Sequence, residues 1–86
     1  MMTANTAPSR VTMFGADWCG DCRRSKSVLD RAGVAYEYVD VAASQEATDR
    51  AIEISGRRNI PVIVFPDGSH LVEPSDAELR DKLSAA

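Results

Sequence analysis

Both cysteines of the chain stand three residues apart in Trp18-Cys19-Gly20-Asp21-Cys22, between an apolar run, Val11-Thr-Met-Phe14, and a stretch of helical periodicity. That placement constrains the fold more than any other feature. Two thiols at this spacing can close a small ring and reopen it without unfolding anything, if a strand-to-helix turn presents them. They cannot staple distant parts of the chain, so burial alone must hold the core together. A chain of 86 residues can bury one modest core, and 44% hydrophobic with 27% charged residues is ordinary for a globular domain.

Other classes are set aside by charge and hydropathy. A net charge of -3 leaves no basic surplus for nucleic acid or an anionic membrane. No apolar run approaches the roughly 20 residues that span a bilayer. The first residues, MMTANTAPSR, lack the charged start and apolar centre of a secretory leader. Residues 1–9 are therefore expected to be a flexible tail, and residues 10–86 the domain. Reactive or metal-binding cysteines at this spacing fit the reducing cytoplasm, which is the expected location.

Along the chain, Arg10–Phe14 reads as a first strand, and Gly15-Ala-Asp17 as a turn. A helix is expected from Cys19 to about Ala32, with Val28, Leu29 and Ala32 inward and Gly33 ending it. Ala35–Asp40 is strand-like, and Ser44–Ser55 a second helix closed by Gly56, its cap undefined by sequence. Ala47, Ala51, Ile54 and Ile52 are its expected inward residues. Val62–Phe65 is the most continuous β-type run and the expected central strand. Pro66-Asp-Gly68 turns the chain into His70–Val72 as a hairpin partner. Ser75 and Glu78 form a capping-box pattern, with Leu79 and Leu83 on one face of the last helix. The expected order is β-α-β-α-β-β-α, an α/β fold.

At a helix start the Cys19 sulfur would face backbone N–H groups and the positive end of the helix dipole, which favour thiolate. Asp21 opposes that effect, while Arg23 and Arg24 support it. Cys22, one turn in, is the natural resolving thiol. The same spacing is also half of a zinc site, but His70 is the single histidine, so a metal or iron–sulfur centre would need a second chain or an external thiol. Trp18 reads either as core or as an apolar lip over the sulfur. Pro61 is tolerated at a strand start because no N–H is required of it there.

From Arg10 to Leu83 the chain resembles the glutaredoxin branch of the thioredoxin-like superfamily. The resemblance rests on Trp18-Cys-Gly-Asp-Cys22, Arg58-Asn-Ile-Pro61, Asp67-Gly68 and Ser75-Asp76. It implies a four-stranded mixed sheet flanked by three helices, a cis Ile60-Pro61 bond and Cys19 as nucleophile. It further implies a low-molecular-weight thiol as co-substrate, with no tightly bound cofactor and no metal. That thiol would lie between the active-site loop, Ile60-Pro61 and Ser75-Asp76. Trp18 would shape access, amides from Gly20 through Asp21 to Cys22 would stabilise developing charge, and Arg58 would meet an acidic group. Arg57 and Arg24 are weaker candidates for the same task.

Cys-Gly-Asp-Cys differs from the Cys-Pro-Tyr-Cys of glutathione-dependent members and from the Cys-Gly-Phe-Ser of iron–sulfur carriers. Glu73-Pro74 stands where many members carry Gly-Gly. The pattern is most similar to the actinobacterial mycoredoxins, which implies mycothiol, with glutathione second, as the small thiol. The expected partners are S-thiolated or disulfide-containing proteins and an NADPH-dependent mycothiol reductase, with the protein a monomer. Two rival readings stand beside it. One is a dithiol donor of thioredoxin type, for instance to ribonucleotide reductase, recharged by thioredoxin reductase. Against it, Met13 occupies the position of the buried thioredoxin carboxylate. The other is a metal- or iron–sulfur-bridged redox binding protein.

Overall fold

The computed structural model describes residues 10–84, so the expected tail over residues 1–9 lies outside the described residues. Seven elements follow in order: β1 (Val11–Gly15), α1 (Gly20–Arg31), β2 (Tyr36–Asp40), α2 (Gln45–Ser55), β3 (Val62–Val64), β4 (His70–Val72) and α3 (Asp76–Ser84). The expected order holds throughout.

One four-stranded sheet runs β2-β1-β3-β4. β1 pairs parallel with β2, Val11 opposite Tyr36 and Phe14 opposite Val39. β3 pairs antiparallel with both β1 and β4, Met13 opposite Ile63 and Ile63 opposite Leu71. β1 and β3 are therefore central, and every residue of both is buried. Burial on both faces explains why their sequences are continuous apolar runs rather than alternating ones.

The two faces still divide by residue parity. Val11, Met13 and Ile63 pack with Phe65 against Val28 and Leu29 of α1 and Leu79 of α3. Phe14, Val62 and Val64 pack against Ala51 of α2 on the opposite face. α1 and α3 thus share one face, and α2 covers the other.

Element ends differ from the sequence reading for local reasons. β1 starts at Val11 and continues through Gly15, while β2 starts at Tyr36. Ala32 is exposed rather than inward: it is the C-cap of α1, its N–H bonded to the Val28 carbonyl, before Gly33 turns left-handed at φ 70° with its own N–H on the Asp30 carbonyl. β3 stops at Val64 because Phe65 N–H is taken by Ser69 O in the hairpin turn. The cap of α2 is Ser44, whose Oγ accepts from Ala47 N–H at 3.1 Å. Ile54 packs against the α2-side core, whereas Ala47 and Ala51 are the buried residues of that helix. α3 opens with a reciprocal capping box, Glu78 N–H to Ser75 Oγ at 3.1 Å and Ser75 N–H to Glu78 Oε1 at 2.8 Å.

Candidate active site

β1 delivers the chain to a tight turn, where Cys19 N–H bonds Ala16 O at 3.1 Å. Cys19 then acts as the N-cap of α1, extended at φ -88° and ψ 119°. Its sulfur accepts the Cys22 N–H at 3.4 Å, in the position usually taken by a serine or aspartate oxygen. The thiol also lies 3.9 Å from the Ile60 carbonyl oxygen, the one long-range polar contact of this sulfur among the described residues. The Ile60-Pro61 peptide bond is cis. Cys19, Ile60 and Pro61, far apart in sequence, therefore meet at one end of the two central strands.

Cys22 differs sharply from its neighbour. It is 1% exposed and packs in the core with Met13, Leu29 and Ile63, whereas Cys19 is partly exposed. Burial, then the hydrogen bond with Cys19, pushes the Cys22 thiol up to about 12. A negative charge on the paired sulfur or on Asp21 acts in the same direction. The pair thus offers one accessible sulfur and one protonated thiol behind it. Gly15 allows this packing, because a Cβ there would stand 3.0 Å from the Cys22 sulfur. The sequence signal for Gly15 was its place at the end of the first strand, which reads equally well as an ordinary turn glycine.

Charged residues organise the rim. Asp21 pairs with Arg24, which also reaches Asp76 at 3.9 Å, so one arginine links the starts of α1 and α3. Asp21 is therefore compensated locally. Arg23 instead donates to Asp17 O at 3.0 Å, and Tyr38 Oη donates to Asp17 Oδ1 at 3.3 Å, which ties down the loop before the cysteines. Trp18 is 71% exposed, so it is not core. Gly20 begins α1 and is exposed.

The proline segment is tied to the approach to α3. Glu73 N–H donates to Pro61 O at 2.9 Å, and Asn59 Nδ2 donates to Glu73 Oε1 at 3.0 Å. Glu73 adopts φ 49°, a left-handed conformation that glycine takes without steric cost. The left-handed position is thus taken by a glutamate held at both its amide and its carboxylate. Ser75 and Asp76 stand just beyond it, and Arg24 brings Asp76 towards the cysteine turn. Arg57 and Arg58 are exposed and form no salt bridge among the described residues. Among the described residues, no third histidine, cysteine, aspartate or glutamate completes a metal-binding group.

A glutaredoxin family model matches residues 11–71. Mycoredoxin 1 of Corynebacterium glutamicum is 35% identical over 78 residues, spanning 90% of this chain and 96% of that protein. A protein of Mycobacterium tuberculosis H37Rv bearing the glutaredoxin name is 35% identical over 74 residues, 85% of this chain and 88% of its own length. Among solved structures, a glutaredoxin from Archaeoglobus fulgidus superposes with a TM-score of 0.78 at 24% identity, covering 96% of this chain and 95% of that one. The last likeness speaks for the fold alone.

Proposed function

The chain belongs to the glutaredoxin family and is a thiol–disulfide oxidoreductase with a low-molecular-weight thiol as co-substrate; we propose that it reduces mixed disulfides between that thiol and proteins, with mycothiol as the thiol and Cys19 as the sole nucleophile required. The observation carrying this reading is the asymmetry of the pair: Cys19 is accessible at a helix N-cap, and Cys22 is 1% exposed.

In the first step the Cys19 thiolate attacks the small-thiol sulfur of a protein mixed disulfide. The Cys19–small-thiol disulfide forms, the original S–S bond breaks, and the protein sulfur leaves as thiolate and takes a proton from solvent. A second small thiol, as thiolate, then attacks the bound small-thiol sulfur. Cys19 leaves as thiolate, the small thiol departs as its symmetric disulfide, and an NADPH-dependent reductase returns it to two thiols. Cys22 N–H supports negative charge on Cys19 in both steps.

The remaining residues take positioning roles in this proposal. Trp18 covers one side of the sulfur. Ile60 and Pro61 align the disulfide through backbone groups. Gly20, Asp21 and Cys22 contribute amides, and Ser75 and Asp76 hold the polar body of the small thiol at the start of α3. Arg58 faces an acidic group on the ligand.

The dithiol alternative requires Cys22 to lose its proton and attack Cys19 while substrate is attached. Met13 is fully buried in the core that holds Cys22, where a carboxylate would serve that proton. The pairing therefore favours the single-cysteine route. The expected partners are S-thiolated proteins of the cytoplasm, and residues 10–86 are the functional unit.

Mass spectrometry of a trapped intermediate tests this assignment. The Cys22→Ser variant, mixed with a mycothiolated protein and no free thiol, is expected to gain the mass of one mycothiol on Cys19. A disulfide to the substrate protein instead would contradict the direction of attack.

A further inference from the structure

A cleft of about 370 Å3 runs between α1 and α3. Val28 and Ala32 contribute apolar surface, and Arg24, Arg31 and Arg80 line it against a single carboxylate, Asp76. In a chain of net charge -3, three arginines against one aspartate make this cleft a local exception. Arg24 is already compensated by Asp21 and Asp76. Arg31 and Arg80 are exposed and form no salt bridge among the described residues.

The cleft is continuous with the reaction site, because Arg24 and Asp76 belong to both. Its far end is distant from the sulfur. Arg31 lies twelve helical positions past Cys19, about 18 Å along the axis at 1.5 Å per residue. About six residues of extended peptide would cover it at roughly 3.3 Å each. Guanidinium groups with no carboxylate of their own match acidic side chains by two parallel hydrogen bonds.

We propose that the α1–α3 cleft is the docking site for an acidic segment of the protein substrate, its carboxylates received by Arg31 and Arg80 while its mixed disulfide is presented to Cys19. The proposal rests on the reading of Cys19 given above. Docking here raises the affinity for acidic protein substrates and leaves the sulfur chemistry unchanged, so it acts on KM rather than kcat.

Two peptides of equal length test it, each carrying one cysteine mixed with mycothiol. One has aspartates and glutamates five to seven residues from the cysteine, and the other has serines there. A mixed disulfide of mycothiol with 2-mercaptoethanol reports the chemistry without docking. The wild type is expected to prefer the acidic peptide about tenfold in kcat/KM at low salt, through KM, and to lose the preference as salt screens exposed charge. The R31Q/R80Q and R31E/R80E variants are expected to abolish that preference while turning over the small mixed disulfide normally.

Equal turnover of both peptides by the wild type would overturn the proposal, as would variants that keep the preference or lose the small-substrate activity. A nuclear magnetic resonance titration with the acidic peptide, its cysteine replaced by serine, separates docking from chemistry. Shifts at Ser27, Arg31 and Arg80 amides are expected even if the Cys19 mechanism fails, and their absence would overturn the docking site alone.

Discussion

At the scale of residues, Cys22 is buried in one core cluster with Met13, Leu29 and Ile63, and Gly15 leaves just enough room for its sulfur. Burial, then the hydrogen bond with Cys19, holds the thiol well above an ordinary cysteine, so it stays protonated near neutral pH. The sign for stability follows from linkage. The folded state keeps a proton on Cys22 that the unfolded chain releases near a pH of about 8.5. The stability tied to that proton is intact below that pH and is lost as pH rises towards 12. In denaturant titrations of reduced protein between pH 8 and 11, the wild type is expected to lose stability more steeply than Cys22→Ser; Tyr36, raised to about 12 by burial and Asp30, contributes equally to both. Parallel curves would show that Cys22 is not held protonated by the fold. At this scale the sequence was informative about Cys19 and silent about the rest of its setting. The cis Ile60-Pro61 bond came from resemblance alone, because nothing local distinguishes the two isomers. Glu73 is a further case: only the fold reveals that a glutamate occupies a left-handed position, supported by Pro61 O and Asn59.

At the scale of elements, the parts with short-range signals were the legible ones. Ser75 and Glu78 announce the start of α3, and both reciprocal bonds form. Gly33 and Gly56 end their helices with φ of 70° and 80°. Ser44 was harder, since a lone serine followed by Ala47 lacks the acidic half of the box, yet its hydroxyl alone satisfies the Ala47 amide. Ala32 was misassigned because helical spacing continues through it, while the cap geometry turns it to solvent. Removing the α3 cap by Ser75→Ala is expected to cost about 1 kcal/mol. For a domain of this size that corresponds to a fall in Tm of about 4–8 °C, measurable by calorimetry. An unchanged Tm would mean that α3 is held by Leu79 and Leu83 packing without help from its cap.

At the scale of the whole molecule, the two central strands are buried on both faces by helices. α1 and α3 are pressed onto one face around Leu29 and Leu79, and α2 onto the other around Ala51. The starts of α1 and α3 and the entry to β3 then converge at one end of the central strands, bringing Cys19, Asp76 and Pro61 from separate parts of the chain. The order of elements could be read from apolar runs, helical spacing and turn residues, and the continuous run Val62–Phe65 marked β3 as central, whereas the central place of β1 emerges only from the sheet order. The convergence could not, since contacts such as Cys19 with Ile60 and Arg24 with Asp76 are long-range and leave no local periodicity. The α1–α3 cleft was invisible for the same reason: Arg24 and Arg31 share a face of α1, but Arg80 joins them only after α3 packs against it.

The central claim is that Cys19 alone carries turnover, and steady-state kinetics of the Cys22→Ser variant tests it most directly. With a mycothiol mixed disulfide, mycothiol, its reductase and NADPH supplied, sustained NADPH oxidation at a rate comparable to wild type is the expected result. A wild type that turns over while the variant stops would contradict the claim and assign the chain to the dithiol route.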